Sequence, residues 1–190
     1  FFLVCFHLGA YAQSIDRRLK INLNELNMSF NMPNNYIELD SGFHFVCWDG
    51  KMASDPIYTV VKKDSSVLIA YSIIFHGKQD DIKRIQRINP EWTSVINFKN
   101  IVKNLADTIN HKVNHYDSIY LKNTSSADMG CEFSRNCVVP FREKYINNRI
   151  VIIGKNDGRQ VQIIYLFTDM AKEKMEAEIK NTANNLKFND

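Results

Sequence analysis

Length, composition and charge place this chain among ordinary folded proteins. It has 190 residues, of which 45% are hydrophobic and 24% are charged, and its formal net charge is +3. Seven Gly and four Pro are too few for a fibrous or linker-like chain. Because 24 Lys and Arg are nearly balanced by 21 Asp and Glu, we expect no nucleic-acid partner.

The N-terminal residues have the pattern of an export signal. Residues 1–13 contain no Lys, Arg, Asp or Glu and include Ala10-Tyr11-Ala12. Ala10 and Ala12 are small residues at positions −3 and −1 of a signal-peptidase cleavage between Ala12 and Gln13. We expect residues 1–12 to be a signal peptide remnant and 13–190 to be one exported domain, periplasmic or extracellular, with no transmembrane segment. The alternative is a buried strand or helix at the start of a cytosolic domain.

Three cysteines remain after the proposed cleavage, namely Cys47, Cys131 and Cys137. Export permits a disulfide, and Cys131 and Cys137 enclose a loop short enough to close if their chain segments face each other. They are therefore the disulfide candidate. A structural zinc site needs a closer pair and a second pair, so we predict no metal here. Cys47 lies in an apolar run, which is typical of a small buried hydrophobe.

The first half of the chain contains one strong strand signal and several weaker ones. Residues 66–75 are β-branched and apolar on both sides, which predicts an interior strand. Ser54 followed by Pro56 predicts a short capped helix over residues 54–61. Residues 82–90 fit either a short helix or a bulged strand. Weaker strand candidates are residues 28–33, 36–39, 43–48 and 118–122.

The second half gives clearer patterns. A helical stripe is formed by Phe98, Ile101, Val102, Leu105, Ala106 and Ile109. Residues 149–155 and 160–167 predict a hairpin across a turn whose Gly158 can take positive φ. Thr168 and Asp169 then begin a predicted helix that runs to about Lys187. Together these elements predict an α+β fold, a mostly antiparallel β-sheet packed against helices.

The order of elements resembles a known family. The segment Phe30–Tyr36, a central strand, a middle helix and a hairpin are followed by a terminal helix that closes on Leu186–Phe188. This order resembles exported bacterial single-domain proteins of PsbP-like architecture. The resemblance implies an α/β/α sandwich that serves as a binding or accessory module. It carries over no catalytic residue.

The region of His111 and His115 partly matches metal-binding and catalytic motifs, but other residues that those motifs require are absent. His111 and His115 have the spacing that lets two imidazoles share a metal on a helix, but no Glu lies between them as in zinc peptidases. His115 with Asp117 would make an oriented base, yet no Gly-x-Ser-x-Gly turn accompanies it. We therefore interpret this stretch as a polar loop and predict neither a metal nor another cofactor.

His76 follows the interior strand and precedes Gly77, with Asp80 and Asp81 close by. A histidine in this setting can titrate near neutrality and act as an acid or base. The simpler interpretation is a strand that reaches the surface and turns at Gly77. The adjoining basic residues are interrupted by the two Asp and have no aromatic residues among them, so they indicate a solvated face.

Two segments are the best sequence candidates for ligand contact. Residues 125–133 predict a polar loop, and residues 43–51 are the second segment in which we expect ligand contact. The candidate ligand-binding residues are Asp128, Met129, Gly130, His76 and Trp48. The alternative is that Asp128 and Gly130 only shape a turn.

Two functional hypotheses follow. The first is an exported, non-enzymatic binding or accessory domain whose partner is an unknown protein or small ligand of the cell envelope. The second is a small hydrolase that uses His76 or His115 with an acid. Because neither histidine has a complete set of catalytic neighbours in the sequence, we assign no catalytic residue.

Overall fold

The computed structural model describes residues 19–39, 45–46, 53–54, 56–106, 112–135 and 144–190. Several predictions fall on residues outside these ranges and stay predictions. They concern the signal peptide at residues 1–12, Cys47, Trp48, Ile109, His111 and Cys137.

A seven-stranded antiparallel sheet forms the middle of the protein. In spatial order its strands are β2 (Tyr36–Glu38), β5 (Tyr58–Lys62), β6 (Val67–Phe75), β10 (Gln160–Phe167), β9 (Asn147–Gly154), β8 (Met129–Phe133) and β7 (Asn114–His115). Every pair of neighbours in it is antiparallel. This confirms the predicted fold class.

Two short strand pairs and six helical segments complete the described chain. Strand β1 (Met28–Phe30) pairs with β11 (Leu186–Phe188), and β3 (Phe45–Val46) pairs with β4 (Ala53–Ser54). The helices are α1 (described over residues 19–25), α2 (Gln79–Ile88), α3 (Ser94–Ala106), α4 (Ser118–Thr124), a 3-10 helix (Asp169–Lys174) and α5 (Met175–Thr182).

Helices cover both faces of the sheet, so the architecture is an α/β/α sandwich. On one face, Leu121 of α4 and Met175 and Ile179 of α5 pack against the sheet. On the other face, Phe98 and Val102 of α3 do so. All eight residues of β10 are buried, which explains why this strand is apolar on both sides. Each fully buried large aliphatic side chain contributes about 1.5–3 kcal/mol of hydrophobic stabilisation.

The strongest sequence patterns are confirmed. The predicted interior strand is β6, the helical stripe is α3, and the predicted hairpin is β9 and β10. Gly158 in the hairpin turn has a φ of +103°. The ambiguous residues 82–90 belong mainly to helix α2.

Two predictions of element type are wrong. Residues 54–61 do not form a capped helix, because Tyr58–Lys62 is strand β5, held between β2 and β6. Its aromatic and β-branched residues favour a strand over the helix start suggested by Pro56. Residues 118–122 are helix α4 rather than a strand, because the Asp117 carboxylate caps the helix by accepting a hydrogen bond from Tyr120 N at 2.8 Å.

Two further predictions fail at the ends of elements. The predicted terminal helix does not reach Lys187. It divides into the 3-10 helix and α5, which ends at Thr182, and Leu186–Phe188 then pairs with β1. The predicted loop over residues 125–133 is also wrong in its second half, because Met129–Phe133 is the largely buried strand β8.

Candidate ligand-binding site

A polar groove of about 560 Å³ lies where the β1–β2 connection meets the end of α5. Six of its ten lining residues are asparagines, whereas asparagine supplies 21 of the 190 residues in the chain. We call it the asparagine groove. Its asparagines are Asn31, Asn34, Asn35, Asn181, Asn184 and Asn185. The enrichment exceeds what the overall composition explains.

The pairing of β1 with β11 brings the two halves of the groove together. Asn31 N donates a hydrogen bond to Asn185 O at 2.8 Å, and the Asn185 side chain donates one to Asn31 O at 2.7 Å. These residues are 154 positions apart. The groove therefore exists only in the folded chain.

One wall of the groove is a tight turn. Tyr36 N donates a hydrogen bond to Pro33 O at 3.2 Å, and Asn35 between them has a φ of +66°. Asparagine tolerates this left-handed conformation better than most residues do. The turn presents Asn34 and Asn35 to the groove.

An ion pair forms the floor. Lys62 Nζ lies 2.6 Å from Glu178 Oε2, and the Tyr36 hydroxyl donates a hydrogen bond to Glu178 Oε1 at 2.7 Å. The two charged side chains are 26% and 14% exposed, so the pair is half-shielded from water. Burial, followed by the hydrogen bond to Glu178, raises the pKa of Tyr36 well above its ordinary range. The charges on the floor therefore compensate each other.

Most of the asparagine side chains are available to a ligand. The Asn185 amide bonds to Asn31 O, but the other five side-chain amides make no hydrogen bond to the part of the chain that the structure describes. Each primary amide offers one acceptor oxygen and two donor hydrogens. The groove thus presents many neutral donors and acceptors around a neutralised floor.

A second, smaller pocket of about 210 Å³ lies on the other side of α5 and surrounds Glu132. Glu132 is 8% exposed and accepts hydrogen bonds from the Tyr116 hydroxyl at 2.8 Å, Asn114 Nδ2 at 3.4 Å and Arg149 Nη1 at 3.3 Å. Burial and the Glu132 charge raise the pKa of Tyr116 well above its ordinary range. These three donors satisfy the carboxylate, so the cluster is suited to holding β7, β8 and β9 together.

The predicted ligand residues at the start of β8 have structural partners. Asp128 Oδ2 accepts a hydrogen bond from Asn156 N at 2.8 Å in the hairpin turn, and Met129 packs partly buried against the α3 side of the core. A Cβ on Gly130 would lie 2.5 Å from Leu121 Cδ2, so glycine lets α4 approach the strand. These contacts favour the alternative that the segment shapes the structure.

His76 lies elsewhere on the surface. Its Nε2 atom is 3.4 Å from Glu25 Oε2, which also lies 3.3 Å from Lys78 Nζ. Gly77 has a φ of +70° and packs against the backbone of Arg159 in the hairpin turn. The structure thus places His76 and Asp128 on segments that contact the same turn, but neither residue lines the asparagine groove. Trp48 lies outside the described residues.

Cys131 is buried on β8 and has no disulfide partner among the described residues. Burial, with a smaller effect of the Glu132 charge, raises its pKa to about 12. Its proposed partner Cys137 lies outside the described residues, so the disulfide stays a prediction.

His115 borders the Glu132 pocket, but its side chain makes no hydrogen bond to the described residues. Among the same residues, no group of three or more His, Cys, Asp and Glu could hold a metal ion. In the described part of the chain, no helix combines the length and apolar character that crossing a bilayer requires.

Sequence reasoning missed the asparagine groove, although a signal for it was present. The pattern Asn-x-x-Asn-Asn occurs at residues 31–35 and again at residues 181–185. Both copies line the groove. A search for repeated polar motifs at distant positions would have found them.

Comparison with known proteins gives a weak likeness of fold. No protein-family model and no curated protein matches the chain. Among solved structures, it is similar to the solution structure of cyanobacterial PsbP (CyanoP) from Synechocystis sp. PCC 6803, with 10% sequence identity and a TM-score of 0.43. The alignment covers 85% of this chain and 86% of that one.

Proposed function

We propose that this protein acts outside the cytoplasm as a non-enzymatic binding domain and that the asparagine groove holds its ligand. The observation that carries the proposal is the set of five unpaired asparagine amides around one concave site in the described chain. Its volume falls within the ~300–1,000 Å³ typical of small-molecule sites. The ligand would be polar and uncharged.

The lack of net charge at the floor supports an uncharged ligand. Lys62 and Glu178 neutralise each other, and Tyr36 satisfies the second carboxylate oxygen. A charged ligand would have to separate this pair or remain partly desolvated without a counter-charge, and both are unfavourable. Neutral donors and acceptors match the amides without that penalty.

The geometry gives less support to the alternative hydrolase. His76 contacts only the exposed Glu25 among the described carboxylates, at 3.4 Å, and no hydroxyl nucleophile is bonded to it. His115 has no side-chain hydrogen bond that would orient it within the described chain. A nucleophile–base pair within hydrogen-bond reach is the first requirement of such a mechanism.

The binding site can be tested by amide NMR spectroscopy of the full chain. The protein would be titrated with neutral oligosaccharides, a charged oligosaccharide and short uncharged peptides. We expect at least one uncharged probe to shift the amides of residues 31–35 and 181–185 saturably and to be recovered unchanged. Shifts confined to His76, His115 or the Glu132 pocket, or turnover of a probe, would contradict the proposal.

Export is tested separately. Cells that produce the protein would be fractionated, and the N-terminus of the isolated chain would be determined by mass spectrometry. We expect the chain outside the cytoplasm and starting at Gln13, because Ala10 and Ala12 fit the signal-peptidase subsites. A cytoplasmic chain that retains residues 1–12 would contradict this part of the proposal.

A further inference from the structure

We infer that the asparagine groove recognises a neutral oligosaccharide through its two Asn-x-x-Asn-Asn segments, residues 31–35 and 181–185. This inference rests on the proposed function and specifies the class of its ligand. It depends on how the two segments are placed, on the chemistry of their amides and on what else lines the groove.

The two segments are held at a defined separation. The hydrogen bonds between Asn31 and Asn185 join them at one end. At the floor, Tyr36 directly follows the first segment and bonds to Glu178 of α5. The second segment begins at Asn181, in the last turn of the same helix. The backbone of a site fixed in this way loses little conformational freedom when it binds a ligand.

The amides suit a ligand with several adjacent hydroxyl groups. A sugar hydroxyl both donates and accepts hydrogen bonds, and a primary amide offers both functions within one planar group. Asn34, Asn181 and Asn184 are exposed and line the groove, so their amides can meet neighbouring hydroxyls of one ring or of two linked rings. The Thr182 hydroxyl is buried and bonds to Tyr165 and to Glu178 O, so the three amides are the groups offered to the ligand here.

A peptide is the main competing ligand, and the groove suits it less well. Recognition of an extended peptide uses a free strand edge together with pockets for alternate side chains. Here the backbone of Asn31 and Asn185 is already engaged in mutual hydrogen bonds, and Met32 is the one apolar residue among the ten that line the groove. Pockets for apolar side chains are therefore lacking among these lining residues.

The charged pair at the floor has a positioning role in oligosaccharide binding. Lys62 and Glu178 lie below the amides and bond to each other. Glu178 is also the one carboxylate among the lining residues, whereas glycoside hydrolysis ordinarily uses two. The arrangement therefore supports holding an oligosaccharide without cleaving it.

The test measures affinity for maltotriose, cellotriose, chitotriose and mannotriose by calorimetry and amide NMR on the full chain. Trigalacturonate serves as the charged probe, and an uncharged Gly-Ser peptide of similar length serves as the peptide probe. We expect at least one neutral trisaccharide to bind in the groove more tightly than either. Asn34→Ala, Asn181→Ala and Asn184→Ala should each weaken that binding about three- to tenfold, as expected for one or two lost hydrogen bonds.

Asn104→Ala is the matched control. Asn104 is exposed on α3, on the opposite side of the sheet, so its replacement should leave affinity unchanged. Asn181 and Asn104 both lie near the C-terminal ends of exposed helices, where alanine is well tolerated, and circular dichroism will confirm that each variant is folded. Asn35 is left intact because of its positive φ.

The possible outcomes distinguish a failure of the oligosaccharide inference from a failure of the proposed binding function. If the peptide binds in the groove with the same dependence on Asn34, Asn181 and Asn184 while no trisaccharide binds, the oligosaccharide inference is overturned and the binding function stands. If no probe shifts the amide NMR signals of residues 31–35 and 181–185, both the oligosaccharide inference and the proposed binding function are overturned. Trisaccharide binding that survives the combined replacement of all three asparagines would also overturn the inference.

Discussion

The Tyr36 hydroxyl donates a hydrogen bond to Glu178 Oε1 at 2.7 Å, although 142 residues separate the two in sequence. The contact joins the edge strand β2 to helix α5 and closes the floor of the asparagine groove. Lys62 of the neighbouring strand β5 holds the other carboxylate oxygen at 2.6 Å. Glu178 thus ties together two strands and the helix that carries the second asparagine segment.

Replacing this hydroxyl should destabilise the protein. Tyr36→Phe removes a partly buried hydrogen bond to a charged acceptor, which typically contributes about 1.5–3 kcal/mol to the free energy of unfolding. Urea unfolding measures the change. Tyr71→Phe is the control, because the buried Tyr71 hydroxyl has no hydrogen bond to the described residues and its loss should cost less. Equal losses in the two variants would show that the Tyr36–Glu178 contact adds nothing.

Buried tyrosines should make the protein sensitive to alkaline pH. Burial is the largest cause that raises the pKa values of Tyr36, Tyr71, Tyr116 and Tyr165 above the ordinary range. The folded state therefore holds these protons more tightly than the unfolded state does. Their contribution to stability is complete below about pH 10 and is lost as the pH rises further.

This pH dependence is measured by urea unfolding at several pH values and by the ultraviolet absorbance of tyrosinate. We expect these four tyrosines to ionise only together with unfolding. Ionisation of all eight tyrosines near pH 10 with the circular dichroism unchanged would disprove the prediction.

Gly130→Ala should be destabilising without any direct effect on ligand binding. The new Cβ would approach Leu121 Cδ2 to 2.5 Å, and Leu121 is itself buried against the sheet, so α4 or its side chain must move. Overpacking of this kind costs about 1–3 kcal/mol. Gly154→Ala, with a nearest contact of 3.1 Å, should cost less in the same urea experiment. A Gly130→Ala variant of unchanged stability would reopen Gly130 as a ligand contact.

Cys131 should be unreactive in the folded protein after mild reduction. With its pKa at about 12, roughly one thiol in 10⁴ is ionised at pH 8, and the side chain is buried. Alkylation with iodoacetamide followed by peptide mapping should label Cys131 only when denaturant is added. Equal labelling in folded and unfolded protein would contradict the buried position. A peptide map of the unreduced protein tests the predicted bridge to Cys137.

Several elements could be predicted because their signals are local. In β6 and β10 nearly every residue is apolar or β-branched, and only a strand covered on both faces buries such a run. Phe98, Val102 and Ala106 are four residues apart, and this spacing places them on one buried face of a helix. Each pattern is decided by neighbours within a dozen residues.

The wrong predictions share a different cause. Pro56 and Ser54 are a reasonable helix start, but the sheet offers β5 partners on both sides, and that pairing prevails. The polar residues at the start of the stretch 125–133 suggest a loop, yet residues 129–133 pair with β9 and are largely buried. Arg149 and Tyr116 then satisfy Glu132. Local propensity is weaker than such tertiary contacts.

Hydrophobic patterning alone was sufficient to predict an antiparallel sheet covered by helices, because burying apolar side chains dominates folding and leaves a periodic record in the chain. No periodic pattern predicts the asparagine groove, because the sequence does not show how close two distant segments of hydrogen-bonding side chains lie in space. Its two segments meet because β1 pairs with β11 and Tyr36 bonds to Glu178. Those long-range contacts, formed only when the chain has folded, turn two short asparagine motifs into one candidate site.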